Sequence, residues 1–82
     1  MKPEQKAMTI FINNTGLNLY TGATVLDALR AYYRELQSDF PEKLPTILDS
    51  FGNEIETDGS LIHLQRLYTI DFEYTEKLFE ND

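Results

Sequence analysis

A single segment of this 82-residue chain has sustained helical periodicity, and it limits the folds open to the chain. Between Gly22 and Gln37, apolar residues recur at intervals of four, three and four positions, as expected for one face of a helix: Val25, Leu29, Tyr32 and Leu36. Thr24 is a favourable N-cap, and Asp27 three residues later completes a capping-box pattern. The sequence therefore predicts one helix, Thr24 to Gln37, with its apolar face packed on a sheet.

Alternating apolar and polar residues predict strands in much of the remaining chain. The predicted strands are Met8–Asn13, Leu17–Tyr20, Thr46–Ser50 and Leu67–Tyr74, with a short extended piece at Glu54–Thr57. In the last strand one face carries Tyr68, Ile70, Phe72 and Tyr74. Residues 13–16 are expected to turn the first two strands into a hairpin, whereas residues 61–64 form either a single helical turn or a bridge. The predicted organisation is a flexible tail at 1–7, one domain at 8–75 and an acidic tail at 76–82.

Charge and composition exclude several classes of function. Seven Lys and Arg against fourteen Asp and Glu give a net charge of -7, the wrong sign for neutralising nucleic-acid phosphates or binding an anionic membrane. The apolar run after the charged N-terminus is too short for a signal peptide or a membrane span. We therefore expect a cytoplasmic protein that binds neither nucleic acid nor membranes.

The residues that carry chemistry are too few and too scattered to form a recognisable active site. Without cysteine, and with His63 as the sole histidine, the chain has no thiolate or paired-histidine metal site. Asp49, Glu54, Glu56 and Asp58 surround two turns but lack the spacing of a calcium-binding loop. We predict no cofactor, no metal and no enzymatic activity.

The order of predicted elements, two strands, a helix, a strand and a long last strand, resembles the β-grasp (ubiquitin-like) class. Thr9 to Asn13 and Gly22 to Leu29 are most similar to the opening of the sulfur-carrier proteins of thiamine and molybdopterin biosynthesis. The resemblance implies an α+β fold, with a mixed four- to five-stranded sheet packed on the helix. Sulfur carriers end in Gly-Gly, however, and this sequence has no glycine after Gly59, so we expect the carrier chemistry to be absent.

These observations predict a non-enzymatic interaction or adaptor module that binds another protein, or itself, through the sheet face or an open edge. The candidate interaction residues are aromatic side chains of the strands and two helix arginines: Tyr20, Arg30, Arg34, Tyr68, Phe72 and Tyr74. Whether the five tyrosines form a surface patch or flank the core stays open. The alternative is a divergent sulfur-carrier-like protein of a cofactor-biosynthesis pathway.

Overall fold

The structure of the protein is a computed structural model that describes residues 6–70. It contains one helix and five strands, in the order β1 (Ala7–Ile12), β2 (Thr15–Tyr20), α1 (Val25–Glu35), β3 (Thr46–Asp49), β4 (Glu54–Ile55) and β5 (Arg66–Ile70). The strands form one mixed sheet in the order β2-β1-β5-β3-β4. β1 and β5 are parallel, while the other neighbouring pairs are antiparallel. The predicted α+β class, with one helix packed on a sheet, is confirmed.

The β1–β2 hairpin forms where the sequence predicted it. Asn13 and Asn14 have φ angles of 50° and 69°, which is the left-handed conformation required at both central positions of a type I′ turn. Gly16 already belongs to β2, where it pairs with Phe11. The asparagines alone therefore make the turn.

Helix α1 begins at the predicted cap. The Thr24 hydroxyl accepts a hydrogen bond from the Asp27 backbone N–H at 3.3 Å, and the Asp27 carboxylate accepts one from the Thr24 N–H at 2.9 Å. These bonds hold the pKa of Asp27 below its ordinary value of 3.8, chiefly through the backbone N–H of Thr24. The sequence thus determines the start of the helix through two side chains.

The helix ends two residues earlier than predicted, and its last predicted core residue is exposed. Gln37 has a φ of 56°, and the N–H groups of Gln37 and Ser38 donate to the carbonyls of Arg34 and Tyr33, which completes a Schellman motif. Leu36 is the C-cap and is 48% exposed. Its predicted place on the packed face is therefore wrong, because the chain turns away at this point.

The core lies between α1 and one face of the sheet, here called the inner face. Ten side chains are buried there: Met8, Ile10, Ile12, Leu17, Val25, Ala28, Leu29, Tyr32, Ile47 and Leu67. At the far end of this layer, the Asn13 amide donates to the Tyr32 hydroxyl at 2.9 Å and to the Thr69 hydroxyl at 2.8 Å. The Thr69 N–H donates back to the side-chain oxygen (Oδ1) of Asn13 at 3.1 Å. One asparagine thus ties the hairpin turn, the helix and β5 together.

Residues 61–64 form neither the helical turn nor the bridge that were the two predicted alternatives. The Thr9 N–H donates to His63 Nδ1 at 3.0 Å, and the Leu64 N–H donates to the Thr9 carbonyl at 2.6 Å. His63 therefore takes the place of a backbone acceptor beside β1. Ser60 forms an isolated bridge with Thr24, and Leu64 has a φ of 68°.

Strand β5 begins at Arg66, one residue before its predicted start. Its Leu67 side chain is fully buried on the inner face, so Tyr68 and Ile70 point to the opposite face. Positions 71–74 of the predicted strand, residues 1–5 of the predicted N-terminal tail and the whole predicted C-terminal tail lie outside the described residues. Ala7, which was predicted to lie in the N-terminal tail, is the first residue of β1.

Candidate interaction surface

The candidate site lies on the outer face of the sheet, the face turned away from α1. Strand alternation places every second side chain there, and the register brings five of them together across three adjacent strands. We call these the outer-face cluster: Phe11, Leu48, Arg66, Tyr68 and Ile70. No described element packs over this cluster.

Register explains how the cluster is assembled. Phe11 of β1 is the partner of Arg66 in β5, and Tyr68, two residues further along β5, is the partner of Leu48 in β3. Phe11, Leu48 and Tyr68 are half-buried, whereas Ile70 is 38% exposed. The cluster is therefore continuous along β5 and extends one strand to either side.

Arg66 gives the cluster a positive charge held in a defined position. Its guanidinium carbon lies 4.4 Å from the centroid of the Phe11 ring, within the range of a cation–π contact. A longer hydrogen bond of 3.5 Å joins Arg66 to the side-chain oxygen of Asn14. On β2, Phe11 faces Gly16, which has no side chain to cover the ring. The cluster thus presents an aromatic ring and a cation on rigid strands.

The predicted site residues do not form one surface. Tyr68 lies in the outer-face cluster, but Tyr20 pairs with Ala7 at the opposite end of the sheet, about 20 Å away along the strand direction. There Tyr20 is 60% exposed and lines a shallow concavity of about 430 Å³ with residues 18–23 and Asp27. Phe72 and Tyr74 lie outside the described residues.

The two predicted arginines lie on the helix side of the molecule and cannot join Tyr68. Arg30 and Arg34 are exposed on α1 and line a groove of about 460 Å³, which we call the helix-end groove: Arg30, Tyr33, Arg34, Ser38, Asp39 and Phe40. Since α1 packs on the inner face, this groove and the outer-face cluster lie on opposite sides of the sheet. The structure therefore contains two separate candidate surfaces.

The predicted site residues did not include Phe11, Leu48, Arg66 or Ile70, although Ile70 was placed on the same strand face as Tyr68. The available signal was the alternation of β1, which places Phe11 on the opposite face of the strand from Met8, Ile10 and Ile12. A single apolar residue on the solvent side of a strand is common and does not by itself mark a binding surface, which requires a contiguous patch. Alternation within one strand did not show that Leu48 and Arg66, from two other strands, lie in the same cluster as Phe11.

His63 and Asp49, which from the sequence were considered as possible metal ligands, have structural roles. His63 serves as the acceptor for Thr9, and Asp49 organises the β3–β4 turn by accepting hydrogen bonds at 2.9 Å from the N–H groups of Asn53 and Phe51. These bonds, chiefly that from the backbone N–H of Asn53, hold the pKa of Asp49 below its ordinary value of 3.8. Within residues 6–70, no group of three His, Asp or Glu side chains is placed to hold a metal ion.

No helix in the described part of the chain is long and apolar enough to cross a membrane.

Comparison of the sequence with protein-family models and with curated proteins, and of the fold with solved structures, finds no match. A functional proposal therefore depends on the geometry of the chain itself.

Proposed function

We propose that this protein is a non-enzymatic interaction or adaptor module that binds another protein through the outer-face cluster. The observation that carries the proposal is the continuous group of one cation and four apolar side chains, left uncovered by the described elements. Aromatic residues and arginine are the types most enriched at the centres of protein interfaces. The cluster therefore has the composition of a small binding centre.

Rigidity supports the same proposal. All five side chains project from hydrogen-bonded strands, and Arg66 is already held over Phe11 at 4.4 Å. Binding through side chains that are ordered beforehand loses less conformational entropy than binding through free ones. We propose a partner with an apolar surface and an acidic side chain placed opposite Arg66.

We further propose that the fold is of the β-grasp type. A parallel central pair, β1 and β5, flanked by an antiparallel strand on either side and crossed by one helix, supports this proposal. In such an arrangement the helix covers one face of the sheet. The other face is then open to a partner.

The experiment uses photo-crosslinking and a matched pair of variants. A photoreactive phenylalanine analogue at position 68 is expected to crosslink the partner in extract, and the same analogue at Asn18, at the β2 edge of the outer face, is not. In pull-downs, Tyr68→Arg should lose the captured protein, whereas Asn18→Arg, with the same change in charge, should retain it. Asn18 is exposed, and among residues 6–70 its side chain has one hydrogen bond, accepted from the Thr9 hydroxyl at 3.4 Å.

Two results contradict the proposal. One is a crosslinking pattern that is the same from positions 68 and 18. The other is capture of the same proteins by wild type and Tyr68→Arg, with circular dichroism showing that both are folded.

A further inference from the structure

The most exposed large apolar side chain of the described residues lies at the tip of a well-ordered turn. Phe51 is 87% exposed. Its own N–H donates to the Asp49 carboxylate at 2.9 Å, and the Gly52 N–H donates to the Asp49 carbonyl at 3.1 Å. Gly52 has a φ of 85°, which a glycine adopts without strain. The ring is therefore presented to solvent by a backbone that is fixed in place.

Acidic residues follow this aromatic tip. Glu54, Glu56 and Asp58 are all exposed, and no lysine or arginine lies between positions 44 and 65. A surface that receives Phe51 must combine an apolar cavity for the ring with positive charge at its rim.

The helix-end groove of the same protein has these properties. Its apolar wall contains the Tyr33 and Phe40 rings, which meet edge to face with centroids 5.8 Å apart. Arg30 and Arg34 lie one helical turn apart at its rim, against the single acid Asp39. Because Phe51 is 87% exposed, it does not fill the groove of its own chain.

We propose that Phe51 of one copy inserts into the helix-end groove of a second copy. The contact uses two different surfaces, so it is heterologous, and a pair of bound copies still has one free tip, on one copy, and one free groove, on the other. Such contacts extend into open chains or close into rings. The contact area is small and each copy has a net charge of -7, so self-association is weak and depends on concentration. It does not involve the outer-face cluster and is independent of the function proposed above.

Sedimentation velocity over a wide range of concentrations tests the proposal on the full chain. Wild type should show a sedimentation coefficient that rises with concentration. Phe51→Ala and Arg34→Glu should each require at least about tenfold more protein for the same association. Lys6→Glu makes the same change in net charge at an exposed position away from both surfaces, and it should associate as wild type does.

Mixing the two deficient variants gives the sharpest test. Phe51→Ala retains an intact groove and Arg34→Glu retains an intact tip, so an equimolar mixture should form a one-to-one dimer that grows no further. Wild type that stays monomeric at every concentration overturns the proposal. So does Phe51→Ala that associates normally, Lys6→Glu that is as weak as Arg34→Glu, or a mixture that does not form the dimer.

Discussion

The inner and outer faces of the sheet are built by the same strands and differ in how their side chains are covered. On the inner face, Ile10, Ile12 and Leu67 are fully buried under or beside α1. On the outer face, Phe11 and Tyr68 come from the same two strands and are only half-buried. Adjacent residues in one strand therefore have different roles, one in folding and the other available for contact.

The difference teaches that stability and binding can change separately in this chain. A buried aliphatic side chain contributes through burial and tight packing, both of which are lost when it is shortened. A half-buried side chain contributes less to the free energy of folding, and it still has apolar surface that a partner can bury on binding. Substitutions at neighbouring positions should therefore affect different measurements.

The largest expected effect compares the same substitution on the two faces. Ile12→Ala removes a fully buried side chain and should lower the free energy of unfolding by about 2–5 kcal/mol. Ile70→Ala, on the outer face and 38% exposed, should lower it by about 1 kcal/mol or less. Urea unfolding measures both, and equal losses would remove the distinction between the faces.

The next effect concerns the asparagine that closes the inner layer. Asn13→Ala and Asn14→Ala both place alanine at a positive φ, but only Asn13 bonds Tyr32 and Thr69. Asn13→Ala should therefore lose about 1–3 kcal/mol more unfolding free energy than Asn14→Ala. If the two variants are equally stable, the side-chain bonds of Asn13 contribute nothing measurable.

The β3–β4 turn belongs to neither face and should be sensitive to acid. Because the folded pKa of Asp49 is below 3.8, its contribution to stability is complete above that value and is lost as the pH falls through the folded pKa. The stability difference between wild type and Asp49→Asn should therefore shrink as the pH decreases through this range. Urea unfolding as a function of pH measures it, and a constant difference contradicts the assignment.

The smallest effect on stability is expected at Phe51. Since its side chain is 87% exposed, Phe51→Ala should change the unfolding free energy by no more than about 0.5 kcal/mol while it weakens self-association. A stability loss close to that of Ile12→Ala would show that the ring belongs to the core and would move Phe51 out of the exposed group.

Local sequence signals predicted most of the fold. Thr24 and Asp27 determine the start of α1, and the two asparagines determine the hairpin turn, because each structure depends on residues close together in the chain. The prediction of where α1 ends was less accurate. Gln37 ends the helix by adopting a left-handed conformation, which is uncommon for a glutamine and which its side chain does not signal.

The composition of the surface was harder to predict. Tyr20 and Tyr68 both qualify as exposed aromatics, yet the parallel pairing of β1 with β5 places them at opposite ends of the sheet. The same pairing brings Phe11 beside Arg66, 55 positions later in the chain. Such neighbours depend on strand register between distant segments, which no local pattern specifies.

The His63 contact also limits the length of the chain around it. Ser60 is fixed by its bridge to Thr24, and Arg66 is fixed by its pairing with Phe11. Between them, His63 and Leu64 both bond Thr9. An inserted or deleted residue would displace at least one of these three attachments, so this irregular segment should tolerate changes in length as poorly as a strand does.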